Sequence, residues 1–322
     1  MDRDLGINLA RVTEGAALAC AKYLGQGDKN KSDEAAVNEM RAMFNLLNIN
    51  GTVVIGEGEI DEAPMLYIGE QIGDSQADDQ VDIAVDPIDG TTALADGMPN
   101  AISVLAVTPK GNMLNAPDVY MKKIAVGPKA KGLVDINKPV SENIAIVAKS
   151  LNKKTSDVTV TVLKRERHNK LVDAIRKTGA RINMINDGDV LPAIEACMTG
   201  GTDMMMGIGG APEGIIAAAA VKCLGGDFQA IFWPSDGKQV KRCMDKNIDL
   251  EKVYTIEDLV KGDDVVFAAT GITTGSLLKG VSYLESNSAT TESMLLRLPS
   301  ATIRRIDSIH QLDKKYPKKE DI

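Results

Sequence analysis

Carboxylates gather in the stretch VDIAVDPIDGTT (residues 81–92), where an apolar run ends in a turn. Asp86 closes the run, Pro87 bends the chain, and Asp89 and Gly90 complete the turn. Two carboxylates held a few ångströms apart repel each other unless one is protonated or a cation lies between them. We therefore expect a divalent cation here, and oxygen-only ligands favour Mg²⁺ or Mn²⁺. By itself, DPIDG also fits an ordinary Asx-type turn.

Two segments nearer the N-terminus could add carboxylates to the same site. GEGEIDEAP (56–64) places Glu57 and Glu59 just after a β-branched run, and its glycines relieve crowding. Asp33 opens a predicted helix in KNKSDEAAV. The structural alternative for Asp33 is a favourable interaction with the helix dipole, which is common on protein surfaces.

GIGGAPEG (207–214) is a glycine-rich loop ahead of an alanine-rich predicted helix. Its glycines suggest a dinucleotide loop, but Pro212 and Glu213 stand where a third glycine is needed, and Glu213 would repel a pyrophosphate. We reject that interpretation. Glu213 instead lies at a helix N-terminus, from which it could reach a bound metal, although a simple helix cap remains the alternative.

Composition limits the classes of ligand. The 322 residues include 37 Lys and Arg against 45 Asp and Glu, a formal net charge of −8, so no general basic field is available for nucleic acid or anionic lipid. Aromatic residues make up 3%, which argues against a platform for stacking bases. An anionic ligand must be held locally, by metal ions, helix N-termini or a few arginines.

The chain has the features expected of a cytoplasmic enzyme or binding protein. Its four cysteines, Cys20, Cys197, Cys223 and Cys243, form no CxxC pair and are expected to be buried, reduced thiols. The N-terminal MDRDLGINLARVTEG has no apolar signal-peptide core, and no segment is long and apolar enough to suggest a membrane span.

The elements that must position the acidic residues begin with two amphipathic helices. Helical spacing of apolar residues predicts them at 8–24 and 32–48, the second with Ser32 as N-cap. Strands are predicted at 52–55, 81–85 and 102–108, all in one sheet.

From about residue 141 the pattern changes to alternating strands and helices. Such alternation predicts βαβ units and a largely parallel sheet covered on both faces. Further strands are predicted at 264–270, 294–298 and 301–306. We divide the chain into a metal-binding lobe, 1–140, and a substrate-binding α/β lobe, 141–322, while strands from about 290 onward could join the first lobe.

Asp33, GEGE and DPIDGT, in this order, resemble the metal motif of the lithium-sensitive phosphatases, which include inositol monophosphatases and fructose-1,6-bisphosphatases. GDKNKSDEAAVNEMR, GTVVIGEGEIDEAPMLYIGE, NAPDVYM, INDGDV, GIGGAPEG and TGIT together resemble one branch more closely, the bacterial class II, GlpX-type fructose-1,6-bisphosphatases. The resemblance runs nearly end to end and implies a layered αβαβα sandwich of two sheet-containing lobes, the α+β arrangement of sugar phosphatases.

The resemblance also implies roles for individual residues. Metal ligands fall on Asp33, Glu57, Asp86, Asp89 and Glu213. Substrate contacts fall on Asp89, Gly90, Thr91, Tyr120, Arg165, Arg167, Asp187, Gly188, Asp189 and Gly210. Thr91, Asp33 and Glu57 are the expected catalytic residues, and two or more Mg²⁺ or Mn²⁺ ions are the expected cofactors. The family also implies a homodimer or homotetramer.

The chemistry of the second half is compatible with these roles. If KRERH continues a regular strand, Arg165 and Arg167 share a face on which they could hold the remote phosphate of a sugar bisphosphate. A solvated charged edge strand is the alternative. Asp187 and Asp189 could accept hydrogen bonds from sugar hydroxyls or could simply form a turn. Tyr120 could bound the pocket or serve only in packing.

The expected activity is metal-assisted hydrolysis of the 1-phosphate of D-fructose 1,6-bisphosphate, a gluconeogenic reaction. We expect Thr91 to orient the attacking water or bind a phosphate oxygen, although direct attack by its hydroxyl and simple helix capping are alternatives. Alternative substrates are sedoheptulose 1,7-bisphosphate, inositol monophosphates and nucleotide 3′-phosphates. A non-catalytic sugar-phosphate sensor is the alternative from another functional class.

Overall fold

The computed structural model of the chain describes residues 1–2, 4–58, 65–198 and 200–315. Glu59 and residues 316–322 therefore lie outside the described residues. The α-helices among them are α1 (Leu5–Ala21), α2 (Lys29–Phe44), α3 (Thr91–Ala95), α4 (Val140–Ser150), α5 (Asn169–Thr178), α6 (Val190–Glu195), α7 (Ala211–Cys223), α8 (Gly237–Asp245), α9 (Ile256–Leu259) and α10 (Leu312–Lys315).

The strands are β1 (Asn50–Ile55), β2 (Gln71–Gly73), β3 (Gln80–Asp89), β4 (Ile102–Pro109), β5 (Tyr120–Val126), β6 (Thr159–Leu163), β7 (Arg181–Ile185), β8 (Met204–Gly210), β9 (Asp227–Phe232), β10 (Tyr254–Thr255), β11 (Val266–Gly271), β12 (Ser282–Leu284), β13 (Ser288–Arg297) and β14 (Thr302–Gln311). Each strand named in the sequence analysis is found, with shifted ends.

The first sheet has eight strands in the order β12-β13-β11-β4-β3-β1-β2, and β14 pairs with the free side of β13. β1 and β3 are parallel neighbours, so their carboxyl ends lie at the same edge of the sheet. The loop after β1 and the acidic turn at the end of β3 are brought together by this arrangement.

The second sheet has the order β10-β9-β5-β8-β6-β7. The prediction of a largely parallel sheet is wrong: β6 runs parallel to β7 and β8, but β5 inserts between β8 and β9 and is antiparallel to both. β5 precedes the alternating region in the chain, so the alternation could not indicate its place in the sheet.

Five layers result from the packing of helices against these sheets. α1 and α2 cover one face of the first sheet, where Phe44 is fully buried. α6 and α7 lie between the two sheets, and α4 and α5 cover the outer face of the second. α7 (APEGIIAAAAVKC) is apolar on all sides because a sheet lies on each side of it. The αβαβα sandwich is confirmed.

The path of the chain between sheets bears on the predicted lobes. It passes from the first sheet to the second between β4 and β5, and returns between β10 and β11, so β13 and β14 belong to the first sheet. Strand membership alone does not define a domain boundary, and the division at residue 140 stays a prediction. No helix among the described residues is long and apolar enough to cross a membrane.

The start of α2 differs from the prediction. Asp28, rather than Ser32, is the N-cap, and its carboxylate accepts a hydrogen bond from the backbone N–H of Lys31 at 3.1 Å. The helix begins four residues earlier than Asp33, since Asp28 offers a capping carboxylate ahead of Ser32. Asp33 therefore lies beyond the first turn, and a helix-dipole role for it loses its basis.

Candidate active site

A cavity of about 470 Å³ is lined by residues from both sheets. The fourteen site residues that the resemblance implies all line it: Asp33, Glu57, Asp86, Asp89, Gly90, Thr91, Tyr120, Arg165, Arg167, Asp187, Gly188, Asp189, Gly210 and Glu213. We call Asp33, Glu57, Asp86, Asp89 and Glu213 the acidic wall, and Arg165, Arg167, Asp187 and Asp189 the mixed-charge wall. Residues up to 180 positions apart in the chain thus line one space.

The turn at the end of β3 directs two acidic residues into the cavity. The pairing of β3 with β4 shifts register between Asp86 and Asp89, and Asp86 Oδ1 accepts a hydrogen bond from Ile88 N at 3.0 Å. Gly90 has φ +100°, where other residues are strained, and a Cβ there would lie 3.3 Å from the Cα of Ala101. The chain then enters α3 at Thr91. Gly90 is the N-cap of this helix and no side chain caps it, so the helix-capping alternative for Thr91 is wrong.

Glu57 and Asp33 approach this turn from β1 and α2. Gly56 is required because a Cβ there would overlap the carbonyl oxygen of Leu66, which accepts the Glu57 N–H at 3.0 Å. Burial, followed by the charges of Asp33 and Glu213, raises the pKa of Glu57 to about 8. Burial also raises the pKa of Asp33.

Glu213 reaches the cavity from the first turn of α7. Its carboxylate folds back over Gly210, where a Cβ would overlap Oε2. Burial raises the pKa of Glu213 and, together with neighbouring carboxylates, the pKa values of Asp86 and Asp89. Among the described residues, Asp89 Oδ2 and Glu213 Oε2 are buried without a hydrogen-bond donor.

These two oxygens fit a cation site, since a buried carboxylate oxygen without a donor is costly unless a cation satisfies it or it is protonated. The donor set consists only of oxygen, as Mg²⁺ and Mn²⁺ prefer. In the part of the chain that the structure describes, no group of three or more Asp, Glu, His or Cys side chains is arranged so that it could hold a metal ion.

The arginines of the mixed-charge wall do not lie in a strand, so that prediction is wrong. β6 ends at Leu163, and residues Glu166–His168 form a 3₁₀ turn with Arg165 at its start. Both arginines nevertheless line the cavity. Arg165 donates to the carbonyl oxygen of Asn186 at 2.6 Å and lies 3.5 Å from Asp187 Oδ1.

Arg167 is fixed by the backbone and by an aromatic ring. Its Nε and Nη2 donate to the carbonyl oxygen of Ile208 at 3.1 and 2.9 Å. The guanidinium carbon lies 4.6 Å from the ring centroid of Tyr120, a cation–π contact. Tyr120, at 36% exposure, in turn contacts Trp233 with the ring centroids 6.4 Å apart. Tyr120 thus supports an arginine as well as bounding the cavity.

The loop Asp187-Gly188-Asp189 joins the two walls. Asp187 Oδ2 accepts the backbone N–H of Thr92 at 2.9 Å, at the start of α3. Gly188 has φ +70°, and a Cβ there would lie 3.1 Å from Asp89 Oδ2. Both oxygens of Asp189 accept from Lys123 Nζ, at 2.7 and 3.0 Å.

The sequence analysis missed Lys29 and Asp118, which line the cavity, and Lys123 and His168, which lie behind it and support its walls. Lys123 is 1% exposed, and its signal was the alternation in YMKKIAV, which places it on the same face as the buried Met121. His168 is also 1% exposed; Nδ1 donates to Leu163 O at 2.7 Å while Nε2 accepts from Ile208 N at 2.7 Å. Burial lowers the pKa of His168, so the neutral tautomer is held.

The charge balance of the cavity determines what it can bind. Eight carboxylates line it among the described residues, against three basic side chains, those of Lys29, Arg165 and Arg167. An anionic substrate is repelled by this excess of negative charge unless cations accompany it. The cavity is therefore suited to an anion that is bound together with divalent ions.

Comparisons with known proteins agree on one family. A family model described as bacterial fructose-1,6-bisphosphatase, glpX-encoded, matches residues 3–310. Fructose-1,6-bisphosphatase 1 class 2 of Escherichia coli (strain K12) is 50% identical over 331 aligned positions, which cover 98% of both chains. The class 2 enzyme of Shigella flexneri gives the same figures.

A comparison of solved structures finds an extragenic suppressor from Pyrococcus furiosus. Its TM-score is 0.29 and its sequence identity 14%, and the match covers 57% of this chain and 66% of that one. A likeness this weak supports no conclusion about the fold or the site.

Proposed function

The chain belongs to the family of bacterial, glpX-encoded fructose-1,6-bisphosphatases, and from this premise we propose that it hydrolyses the 1-phosphate of D-fructose 1,6-bisphosphate to fructose 6-phosphate and phosphate. The observation that carries the proposal is that one cavity combines an acidic wall with two arginines. A bisphosphate needs both, because its two ends must be neutralised at separate places.

The acidic wall is proposed to hold two or more Mg²⁺ or Mn²⁺ ions, with Asp33, Glu57, Asp86, Asp89 and Glu213 as ligands. Bound there, divalent ions would neutralise the phosphoryl oxygens and lower the pKa of the attacking water. The orphaned oxygens of Asp89 and Glu213 and the raised pKa values along this wall support the assignment.

Thr91 is proposed to orient the attacking water. Its hydroxyl donates to Ile88 O at 3.1 Å, which leaves the oxygen lone pairs free to accept a hydrogen bond from water. Asp33 and Glu57 also line the cavity and their charges interact, so either carboxylate could orient or deprotonate this water once a cation lowers its pKa. The hydroxyl hydrogen of Thr91 points toward a carbonyl rather than a base, so direct attack by Thr91 is disfavoured.

The mixed-charge wall is proposed to hold the remote 6-phosphate and the sugar. Arg165 and Arg167 would bind the phosphate, and their existing hydrogen bonds to backbone carbonyls reduce the entropy lost on binding. Asp187 and Asp189 already accept hydrogen bonds from Thr92 and Lys123. Their remaining lone pairs would accept from sugar hydroxyls, as would be expected for recognition of a neutral polyol.

A phosphate-release assay tests the proposal. The protein is stripped with a chelator, supplied again with Mg²⁺ or Mn²⁺, and offered fructose 1,6-bisphosphate, sedoheptulose 1,7-bisphosphate, inositol 1-phosphate and a nucleotide 3′-phosphate. We expect the highest kcat/KM with fructose 1,6-bisphosphate and no phosphate release without metal. Stoichiometric binding of the bisphosphate without release of phosphate would instead identify a sensor, and a higher kcat/KM with another ester would reassign the substrate.

The four cysteines are free thiols, two of them fully buried, which fits the reducing cytoplasm proposed for this enzyme.

A further inference from the structure

One edge of the first sheet differs from the other sheet edges in the described residues. β2 and β12 have three residues each, and in the second sheet β10 has two and β7 has five. β14 has ten, and each of them pairs with β13 without a shift of register. A long, regular edge strand exposes a row of backbone donors and acceptors that another strand can pair with.

β14 carries exposed charges at Arg304, Arg305 and Asp307 but lacks the other features that normally protect such an edge. Its sequence TIRRIDSIHQ contains no proline, no lysine and no bulge. Ile303 and Ile309 are 49% and 73% exposed. They lie on the same face of the strand, near its two ends, with Arg305 and Asp307 between them.

Asp307 has an unfavourable neighbour within its own chain. It lies directly opposite Glu292 of β13 in the ladder, and like charges at directly opposite positions destabilise a pair of strands. Arg305 contacts the same Glu292, at 3.1 Å. A second positive charge on the free side of β14 would offset the repulsion at Asp307.

The geometry of antiparallel pairing restricts how β14 could pair with a second copy of itself. Two directly opposite residues both point their backbone N–H and C=O toward each other, or both point them away. In two copies of the same strand, the same alternate residues point these groups to the free side. Opposite residues must therefore both be odd-numbered or both even-numbered. A two-fold axis must consequently pass through a residue and not between two residues.

Three registers centred on a residue near the middle of the strand satisfy this condition. Centring on Arg305 places two arginines opposite each other, and centring on Asp307 places two aspartates opposite each other. Centring on Ile306 places Arg305 opposite the partner's Asp307 twice and Ile303 opposite the partner's Ile309 twice. Registers centred further out pair fewer residues. Only the Ile306 register combines opposite charges with paired apolar side chains.

We propose that β14 is a two-fold interface between two copies of this chain, paired antiparallel with Ile306 on the axis. The pairing joins the two eight-stranded sheets into one continuous sheet and covers Ile303 and Ile309. It is isologous, as expected for a closed homodimer. β14 is separated from the acidic β3 by β13, β11 and β4, so the proposal is independent of the chemistry at the cavity.

Asp307→Arg is the decisive variant. Within one chain it replaces a repulsion with Glu292 by an attraction, so the fold is retained, but in the proposed register it places Arg opposite Arg twice. We expect the assembly measured by sedimentation equilibrium to fall to half the wild-type mass, with a dissociation constant raised at least about 10²-fold. Phosphate release per chain should be unchanged.

Two further variants complete the test. Ile309→Lys should weaken the assembly in the same way, whereas Leu46→Lys, at an equally exposed apolar residue elsewhere (76%), should leave it intact. Combining Asp307→Arg with Arg305→Asp exchanges the charges and should restore the wild-type mass. A monomeric wild type would overturn the proposal and would indicate that β14 pairs with a strand of another protein instead. An assembly that Asp307→Arg and Ile309→Lys do not weaken would also overturn it.

Discussion

The acidic wall and the mixed-charge wall differ in how their charged side chains are supported. On the acidic wall, Asp89 and Glu213 each have a buried oxygen without a donor among the described residues, and burial raises the pKa values. On the mixed-charge wall, Arg165 and Arg167 donate to backbone carbonyls. In the proposed function a cation completes the first wall, while the second is organised by hydrogen bonds within the protein.

This difference predicts opposite responses to mutation. A change on the acidic wall should remove catalysis and leave the fold intact or more stable, because it removes repulsion. A change on the mixed-charge wall should weaken substrate binding, and where a supporting residue is lost, it should also lower stability.

Asp86→Asn should have the largest effect. The amide keeps the volume and can still accept the hydrogen bond from Ile88 N, but it removes a proposed metal charge, so we expect kcat to fall by on the order of 10²–10³-fold. The melting temperature without metal should be unchanged or higher. The kcat is measured with saturating Mn²⁺ or Mg²⁺, and the melting temperature is measured in the presence of a chelator.

Asp82→Asn is the matched control on the same strand. Asp82 is buried, does not line the cavity, and accepts from the backbone N–H groups of Gly111 and Met113 at 2.7 and 3.2 Å. An amide oxygen at this position can still accept both hydrogen bonds, and burial raises the pKa of Asp82, so we expect the unfolding free energy to change by less than about 1 kcal/mol, with kcat retained. Near-normal turnover in Asp86→Asn would remove this residue from the metal site.

Thr91→Ala should have the next largest effect, a fall in kcat of roughly 10²-fold, because the attacking water loses the hydroxyl that orients it. Thr91→Ser keeps the hydroxyl and should retain appreciable activity. Steady-state phosphate release measures both variants. Equal activity in the two would show that the Thr91 hydroxyl has no part in the reaction.

Arg165→Gln should raise KM for fructose 1,6-bisphosphate by about 10–10²-fold with a smaller change in kcat, as expected for the loss of a charged hydrogen bond of about 1.5–3 kcal/mol. KM for a substrate without the remote phosphate should not change. Arg181→Gln is the matched control, since Arg181 pairs with Asp157 at 2.8 Å outside the cavity. Equal effects on both kinds of substrate would place the remote phosphate elsewhere.

The stability of the metal-free protein and the increase in stability that metal gives should depend on pH in opposite senses. The pKa of Glu57 is raised above its ordinary 4.5 to about 8, so its contribution is fully present below 4.5 and is lost as pH rises through about 8. The melting temperature of chelated protein should therefore fall between pH 5 and 8.5. Ionised carboxylates bind cations, so the increase caused by Mg²⁺ or Mn²⁺ should grow over the same range. An increase that is constant with pH would contradict binding at the acidic wall.

The sequence predicted the acidic wall better than the mixed-charge wall, for a physical reason. Asp86, Asp89 and Glu57 follow short local motifs at strand ends, where a turn alone sets their direction. Lys123 could not be paired with Asp189 in the same way, because the two are 66 residues apart and meet only when β5 inserts into the second sheet. The 3₁₀ turn that carries Arg167 likewise depends on contacts with β8.

The smallest expected effect concerns His168, which supports Arg167 through Ile208. His168 Nε2 accepts the Ile208 N–H, and the carbonyl of the same residue accepts from Arg167. His168→Ala should therefore displace Arg167 and raise KM for the bisphosphate several-fold with little change in kcat, while His168→Gln, which can still donate and accept, should partly restore KM.

The pH dependence of stability separates this role from simple packing. Burial lowers the pKa of His168 below its ordinary 6.5, so its stabilising contribution is present above pH 6.5 and is lost as pH falls through the lower, folded-state pKa. Protonation would turn Nε2 into a donor facing the Ile208 N–H, at a distance of 2.7 Å. Between pH 7.5 and 5.5 the wild type should therefore lose stability relative to His168→Gln, measured by urea unfolding. A constant difference between the two proteins would show that His168 is not held in the neutral form, and Arg167 would then need another support.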